Sequence, residues 1–190
     1  MKKTLKIVIL TLMLALFLPF SAMNAQTFDQ GDKVLSFGIG LGATYYTGGW
    51  GYKTTVPPIF IAGDYCLRED LGPGNLGVGA YLGYSAYKWD YNNDYGWKYS
   101  TLLIAARGTY HFTDLVDKLD LYGGVMLGAK IVTAKEWGDY GAGVNYSANS
   151  SGVVYDLLAG ARYYFTDNFA VMAELGYGIA WLKLGVSLKF

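Results

Sequence analysis

Leu182-Lys183-Leu184-Gly185-Val186-Ser187-Leu188-Lys189-Phe190 closes the chain, nine residues that alternate without a break. Successive side chains of a strand point to opposite faces. Leu182, Leu184, Val186, Leu188 and Phe190 therefore make one face, and Lys183, Gly185, Ser187 and Lys189 the other. A strand so apolar on one side needs a covering layer, and no helical segment remains after the amino-terminal stretch to provide it. Lipid provides one.

The same alternation recurs seven times upstream. Leu35 to Ala43, Ile59 to Leu67, Leu76 to Ser85, Leu102 to Phe112, Leu121 to Ile131, Val153 to Phe165 and Phe169 to Tyr177 each place apolar side chains on one face and small or polar ones on the other. With the last strand these make eight. The connections alternate between long stretches at Thr44 to Val56, Lys88 to Lys98 and Thr133 to Ser150 and shorter turns at 68–75, 113–118 and 166–168. Only the last outer connection, 178–181, is tight. Long outer loops and short periplasmic turns are how outer-membrane barrels distinguish their two ends.

Met1 to Ala25 reads as a cleaved secretory signal peptide. Lys2, Lys3 and Lys6 precede an apolar run from Ile7 to Phe20 that is too short to span a bilayer, and Ala25 is a small residue at the expected cleavage point. Residues 26–190 then form one domain. Without the signal's three lysines the domain carries 12 basic and 15 acidic side chains, a balance that argues against nucleic acid as a partner. Glycine (26) and tyrosine (18) are abundant and 53% of the chain is hydrophobic, yet no apolar run after Phe20 is long enough for a membrane helix. Hydrophobicity spread by alternation is the pattern of an all-β, eight-stranded, antiparallel up-and-down transmembrane β-barrel.

The inward face carries many glycines beside Phe60, Tyr81, Tyr122 and Tyr164, and six charges: Asp64, Asp156 and Glu174 against Arg107, Lys130 and Arg162. Buried charges persist when paired and hydrogen-bonded. The six are therefore expected to form an ionic network across a lumen filled by side chains, since about eight strands leave an interior just wide enough for them. Arg107 and Glu174 are expected within salt-bridge reach. A small repeat, Tyr110-His111-Phe112-Thr113-Asp114 against Tyr163-Tyr164-Phe165-Thr166-Asp167, closes two strands at the end shared by both termini. Tyr65, Tyr110, Phe112, Tyr163, Phe165 and Phe190 face outward there, and Tyr45, Tyr84, Tyr155 and Tyr177 near the other end, as two aromatic belts at lipid interfaces.

With its signal, eight alternating strands, Tyr-x-Phe strand ends, inward Arg and Glu and terminal Phe190, the chain resembles the OmpA-like and OmpX-like outer-membrane β-barrels of Gram-negative bacteria. The resemblance implies an outer-membrane location, lipid and the barrel-assembly machinery as partners, and Phe190 as an assembly signal at the strand that closes the ring. It departs from the OmpA pattern in lacking a peptidoglycan-binding domain after Phe190, so tethering to the cell wall is not expected. The family includes adhesins, structural proteins, narrow pores and a few lipid-modifying enzymes, so it implies location more sharply than activity.

Candidate chemistry is sparse. His111-Phe112-Thr113 loosely resembles the arrangement of outer-membrane lipid hydrolases, but it lies at the periplasmic end, away from outer-leaflet lipid. Asp90-Tyr91-Asn92-Asn93-Asp94 spaces three oxygen ligands as a calcium loop begins, but lacks its glycine and its closing glutamate. Cys66 is the single cysteine and reads as a packing residue. No catalytic, cofactor or metal site is expected. Trp50, Tyr52, Trp89, Tyr91, Tyr95, Trp97 and Trp137 in the long connections suit recognition of an extracellular ligand or surface, or the bland role of extending the hairpins. The expected role is that of a monomeric structural or surface-interaction protein, with a narrow pore as the second reading and a lipid-modifying enzyme as the third.

Overall fold

The computed structural model describes residues 28–45, 52–91, 95–112, 115–138 and 147–190. The signal segment 1–25 and Trp50 lie outside them. Eight strands are present: β1 (Lys33–Ala43), β2 (Tyr52–Arg68), β3 (Gly74–Tyr91), β4 (Tyr95–Phe112), β5 (Leu119–Gly138), β6 (Ser147–Tyr164), β7 (Phe169–Leu175) and β8 (Ala180–Lys189). Each pairs antiparallel with its neighbours in sequence, and β1 pairs with β8 to close the barrel. Closure removes the sheet edges that lipid cannot solvate. Phe190 completes the seam: its N–H donates to the Lys33 carbonyl (2.8 Å) and its carbonyl accepts from the Lys33 N–H (3.2 Å). At that seam Gly38 and Gly185 are directly paired, and a Cβ on Gly38 would run into the Leu184 carbonyl.

The alternation becomes a lipid-facing belt and a packed interior. Tyr155, Val153 and Leu157 are the most exposed of the outward apolar residues, while Phe60, Tyr81, Leu103, Tyr122, Met126 and Leu158 fill the lumen. Among the described residues no helix is long and apolar enough to cross a membrane.

Strand lengths depart from the sequence expectation. The stretches expected as long loops are largely strand: β2 begins at Tyr52, β3 and β4 run to Tyr91 and from Tyr95, and β5 and β6 run to Gly138 and from Ser147. β2 to β6 are 17–20 residues long, against 11, 7 and 10 for β1, β7 and β8. A barrel strand needs about 9–11 residues to cross lipid, so five strands continue as a sheet beyond the ring. β1–β2 pairing stops at Ile39↔Ile59 and β6–β7 pairing at Ala159↔Leu175. Above those rows one edge of β2 and one edge of β6 have no strand neighbour among the described residues. Pro57 and Pro58, which lack an N–H, blunt the β2 edge.

Both mouths are capped from within. The β7–β8 turn places Ile179 in the core. Gly42, at φ 66°, turns the chain so that Tyr45, expected in the outward belt, packs partly buried against the same core. At the other end the lead-in folds under the barrel. Phe28 is fully buried, its ring 3.8 Å from that of His111, and its carbonyl accepts from the Asn75 side-chain amide.

Candidate functional site

The lumen holds one continuous chain of charged contacts. Asp156 Oδ2 lies 3.6 Å from Lys183 Nζ, which lies 2.8 Å from Glu174 Oε1. Arg107 Nη2 donates to Glu174 Oε2 at 2.8 Å, and Arg107 Nε lies 3.0 Å from Asp64 Oδ1. Asp64 also accepts from Arg162, whose Nη1 reaches Asp120 Oδ2 at 3.2 Å. Asp120 ends the chain on His111 Nδ1 at 2.7 Å. The Tyr122 hydroxyl donates to Glu174 at 2.9 Å, and its ring lies beside both guanidinium groups. Glycine makes the room: a Cβ on Gly160 would collide with the Tyr122 ring. All these charged side chains are buried, so each is worth keeping only while its partners stay in place.

Membership differs from the sequence reading. Asp64, Arg107, Asp156, Arg162 and Glu174 are in the network, but Lys130 is not: its Nζ sits 4.4 Å from the centre of the Tyr45 ring. Asp120 and Lys183 take part instead. Both alternate inward on their strands, which is the signal that could have found them. Lys130 stands past the middle of β5, within reach of Tyr45 where Gly42 turns the chain inward.

His111 Nε2 lies 2.9 Å from the Thr109 hydroxyl while Nδ1 engages Asp120. Hydroxyl, imidazole and carboxylate thus stand in the order used for acyl transfer, with Thr109 in the place considered for Thr113, which lies outside the described residues. The arrangement offers no approach to a substrate. All three side chains are buried, and the imidazole is stacked between Phe28 and Tyr122.

The protruding sheet brings the aromatic residues together in rows. Trp89 of β3 opposes Trp97 of β4, with Tyr87↔Tyr99 below and Tyr91↔Tyr95 above, and Tyr52 of β2 opposes Trp89. By alternation these positions share the face of lumen residues Tyr81 and Ser85. Tyr95 donates to Glu136 Oε1 at 2.9 Å. Trp137 is on the opposite face, where Lys88 Nζ lies 3.0 Å from its ring centre. Asp90, considered as a calcium ligand, is engaged by Lys53 (3.0 Å) and Lys88 (3.4 Å), and Asn92 to Asp94 lie outside the described residues. The hydrogen bond from Lys53 holds the Asp90 carboxyl below its usual pKa.

A groove of about 630 Å³ opens in the outer wall where β7 stops short of β6, lined by Leu157, Leu175, Tyr177 and Trp181 with Asp156 at its inner side.

Fold and interior together define a small, closed, eight-stranded antiparallel β-barrel with an apolar outer belt and a charged, side-chain-filled lumen. No protein-family profile and no curated protein matches the sequence. Solved structures do. The fold is similar to that of Ail, the attachment invasion locus protein of Yersinia pestis, solved in complex with the heparin analogue sucrose octasulfate: 17% identity over 85% of this chain and 99% of that one, TM-score 0.55. It is also similar to the outer membrane protein OprG of Pseudomonas aeruginosa, at 12% identity over 87% and 98%, TM-score 0.52. At such identities the likeness shows the fold.

Proposed function

We propose that this chain is an integral outer-membrane protein of a Gram-negative bacterium whose role is surface interaction, made through the sheet that β2 to β6 raise above the ring. The single observation that carries the reading is the mismatch of strand lengths. Five strands continue past the rows where β1 and β7 stop, and they display cross-strand pairs of Trp and Tyr. Aromatic side chains combine large contact area with low conformational cost, and uncovered strand edges accept a further strand by backbone hydrogen bonding. A purely structural barrel has no need of strands of this length. In this reading residues 1–25 are removed on export, the barrel-assembly machinery inserts the domain, and Phe190 serves as its signal.

A general porin is disfavoured by the lumen, which the ionic chain and Phe60, Tyr81, Tyr122 and Tyr164 fill with side chains. An enzymatic role is disfavoured by the burial of His111 and Thr109. Two measurements test the proposal. Liposomes holding the purified barrel should swell in an isotonic disaccharide no faster than empty ones, and cells displaying it should lose adhesion when 89–97 is replaced by a two-residue turn while the barrel still folds. Rapid swelling, or adhesion unchanged by that replacement, would overturn it.

A further inference from the structure

Four lysines stand in one row across the protruding sheet. Lys53 of β2 is paired with Lys88 of β3, Lys88 with Lys98 of β4, and Lys98 with Lys135 of β5. Directly opposed residues of antiparallel strands lie on the same side. Two-residue steps down β3 and β4 lead to Tyr84 and Leu102, so the row is on the outward, lipid-side face. With strands spaced about 4.8 Å apart the row is roughly 15 Å long. Like charges set directly opposite each other destabilise a sheet, so the row is not explained by the stability of the sheet that carries it. One carboxylate, Asp90, engages Lys53 and Lys88. Lys98 and Lys135 are exposed and have no ion pair among the described residues.

The layers beneath the row say what it faces. The next outward row, two residues lower on β3 to β5 and three on β2, where the register shifts, is Val56–Ala86–Ser100–Thr133, with hydroxyls on β4 and β5; the row below it is Ile59–Tyr84–Leu102–Ile131, apolar and ending the belt. Four residues of strand rise about 13 Å, which a barrel tilt of about 40° reduces to roughly 10 Å along the membrane normal. Acyl chains, sugar hydroxyls and phosphates follow each other over that distance in a phosphorylated glycolipid. The same tilt sets the two ends of the lysine row roughly 9 Å apart in height, and the long lysine stems bring their ammonium groups toward the headgroup layer. A soluble polyanion would need the row but not the graded layers under it.

We infer that Lys53, Lys88, Lys98 and Lys135 bind the phosphates of an outer-leaflet glycolipid, whose sugar lies against Ser100 and Thr133 and whose acyl chains lie against the apolar row. Asp90 and the Trp137 ring hold Lys88 in position, and Lys98 and Lys135 carry the open charge. The inference rests on the membrane placement proposed above and not on the recognition role.

The test uses the full chain in phosphatidylcholine nanodiscs doped with diphosphoryl lipid A, and reads lipid retained on the barrel by native mass spectrometry. Diphosphoryl lipid A should be retained at least roughly tenfold better than dephosphorylated lipid A. Lys98→Gln with Lys135→Gln should remove that preference, a loss of about tenfold or more, while Lys98→Arg with Lys135→Arg should keep it. Raised salt should weaken retention, as for exposed charges. The glutamine variants relieve like-charge repulsion and should keep the heat-modifiable gel shift of a folded barrel, which shows that membrane placement is intact. Equal retention of dephosphorylated lipid A, or an unchanged preference in the glutamine pair, would overturn the inference. So would binding of a soluble sulfated oligosaccharide to undoped discs as tight as that of the lipid, which would assign the row to a soluble polyanion.

Discussion

Below the row Ile59–Tyr84–Leu102–Ile131 the strands form a ring whose charged side chains pair across the lumen; above it β2 to β6 continue as a sheet with two edges that have no strand neighbour among the described residues. In the ring, Glu174 accepts from an arginine and a tyrosine and lies against a lysine, and none of these groups reaches water. In the sheet, Lys53, Lys98 and Lys135 are exposed and four like charges are set side by side. The difference separates two jobs within single strands. β3 contributes Tyr81 to the sealed interior and, seven residues on, Lys88 to the open face. Substitutions below that row should act on stability, and substitutions above it on binding.

The largest expected effect is in the lumen. Glu174→Ala leaves Arg107 with Asp64 alone and Lys183 with Asp156 at 3.6 Å. Removing one partner of a buried pair costs about 3–5 kcal/mol, because the stranded charge remains. Urea unfolding in lipid vesicles should show the loss. A wild-type midpoint for this variant would mean that the network is dispensable, and the distinction between the two regions would fail. Deleting Phe190 should act on assembly: it removes both backbone bonds to Lys33 that complete the β1–β8 seam, and unassembled protein should accumulate in the periplasm. Normal amounts of heat-modifiable barrel in the outer membrane would count against an assembly role.

Much of the ring was legible in the sequence, and less of the sheet. Apolar alternation marks residues that face lipid, so the strands were readable as far as lipid extends. From Tyr87 to Tyr91 and from Tyr95 to Lys98 the alternation continues, but between aromatic residues and charged or small ones, and it reads as a loop. The pairing of Lys88 with Lys98 and of Trp89 with Trp97 is announced by no apolar period. The inward charges were legible strand by strand, but which of them meet is set by the stagger of the strands. Lys183 therefore reaches Glu174, while Lys130 ends beside Tyr45. Phe28, alone in a polar lead-in, carries no periodic signal, and its place under His111 appears only once the barrel is closed.

Above the row, effects on stability should be small. Trp97→Ala removes one member of a cross-strand pair, which contributes roughly 0.2–1 kcal/mol. The unfolding midpoint should move little while cell-surface adhesion falls. A shift as large as that of Glu174→Ala would show that the sheet supports the ring rather than standing on it.

The smallest effect expected is at Asp90, and it sharpens the comparison because this is the one carboxylate that pairs with the lysine row among the described residues. Its pKa is held below the ordinary value of 3.8, first by the hydrogen bond from Lys53 and further by Lys88. A carboxyl whose folded pKa is depressed contributes stability that is fully present above its unfolded pKa and is lost as the pH falls through the folded one. The contribution should therefore be constant at neutral pH and fade only below about pH 4. Loss of the anion frees Lys53 and Lys88 to repel each other, so amide exchange along the β2–β3 and β3–β4 pairing around Lys88 should accelerate in acid, with the ring unaffected. Asp90→Asn should show the faster exchange already at pH 7 and no further change on acidification. An identical pH profile in the variant and the parent chain would mean that the row is held in place by the Trp137 contact and the strands alone.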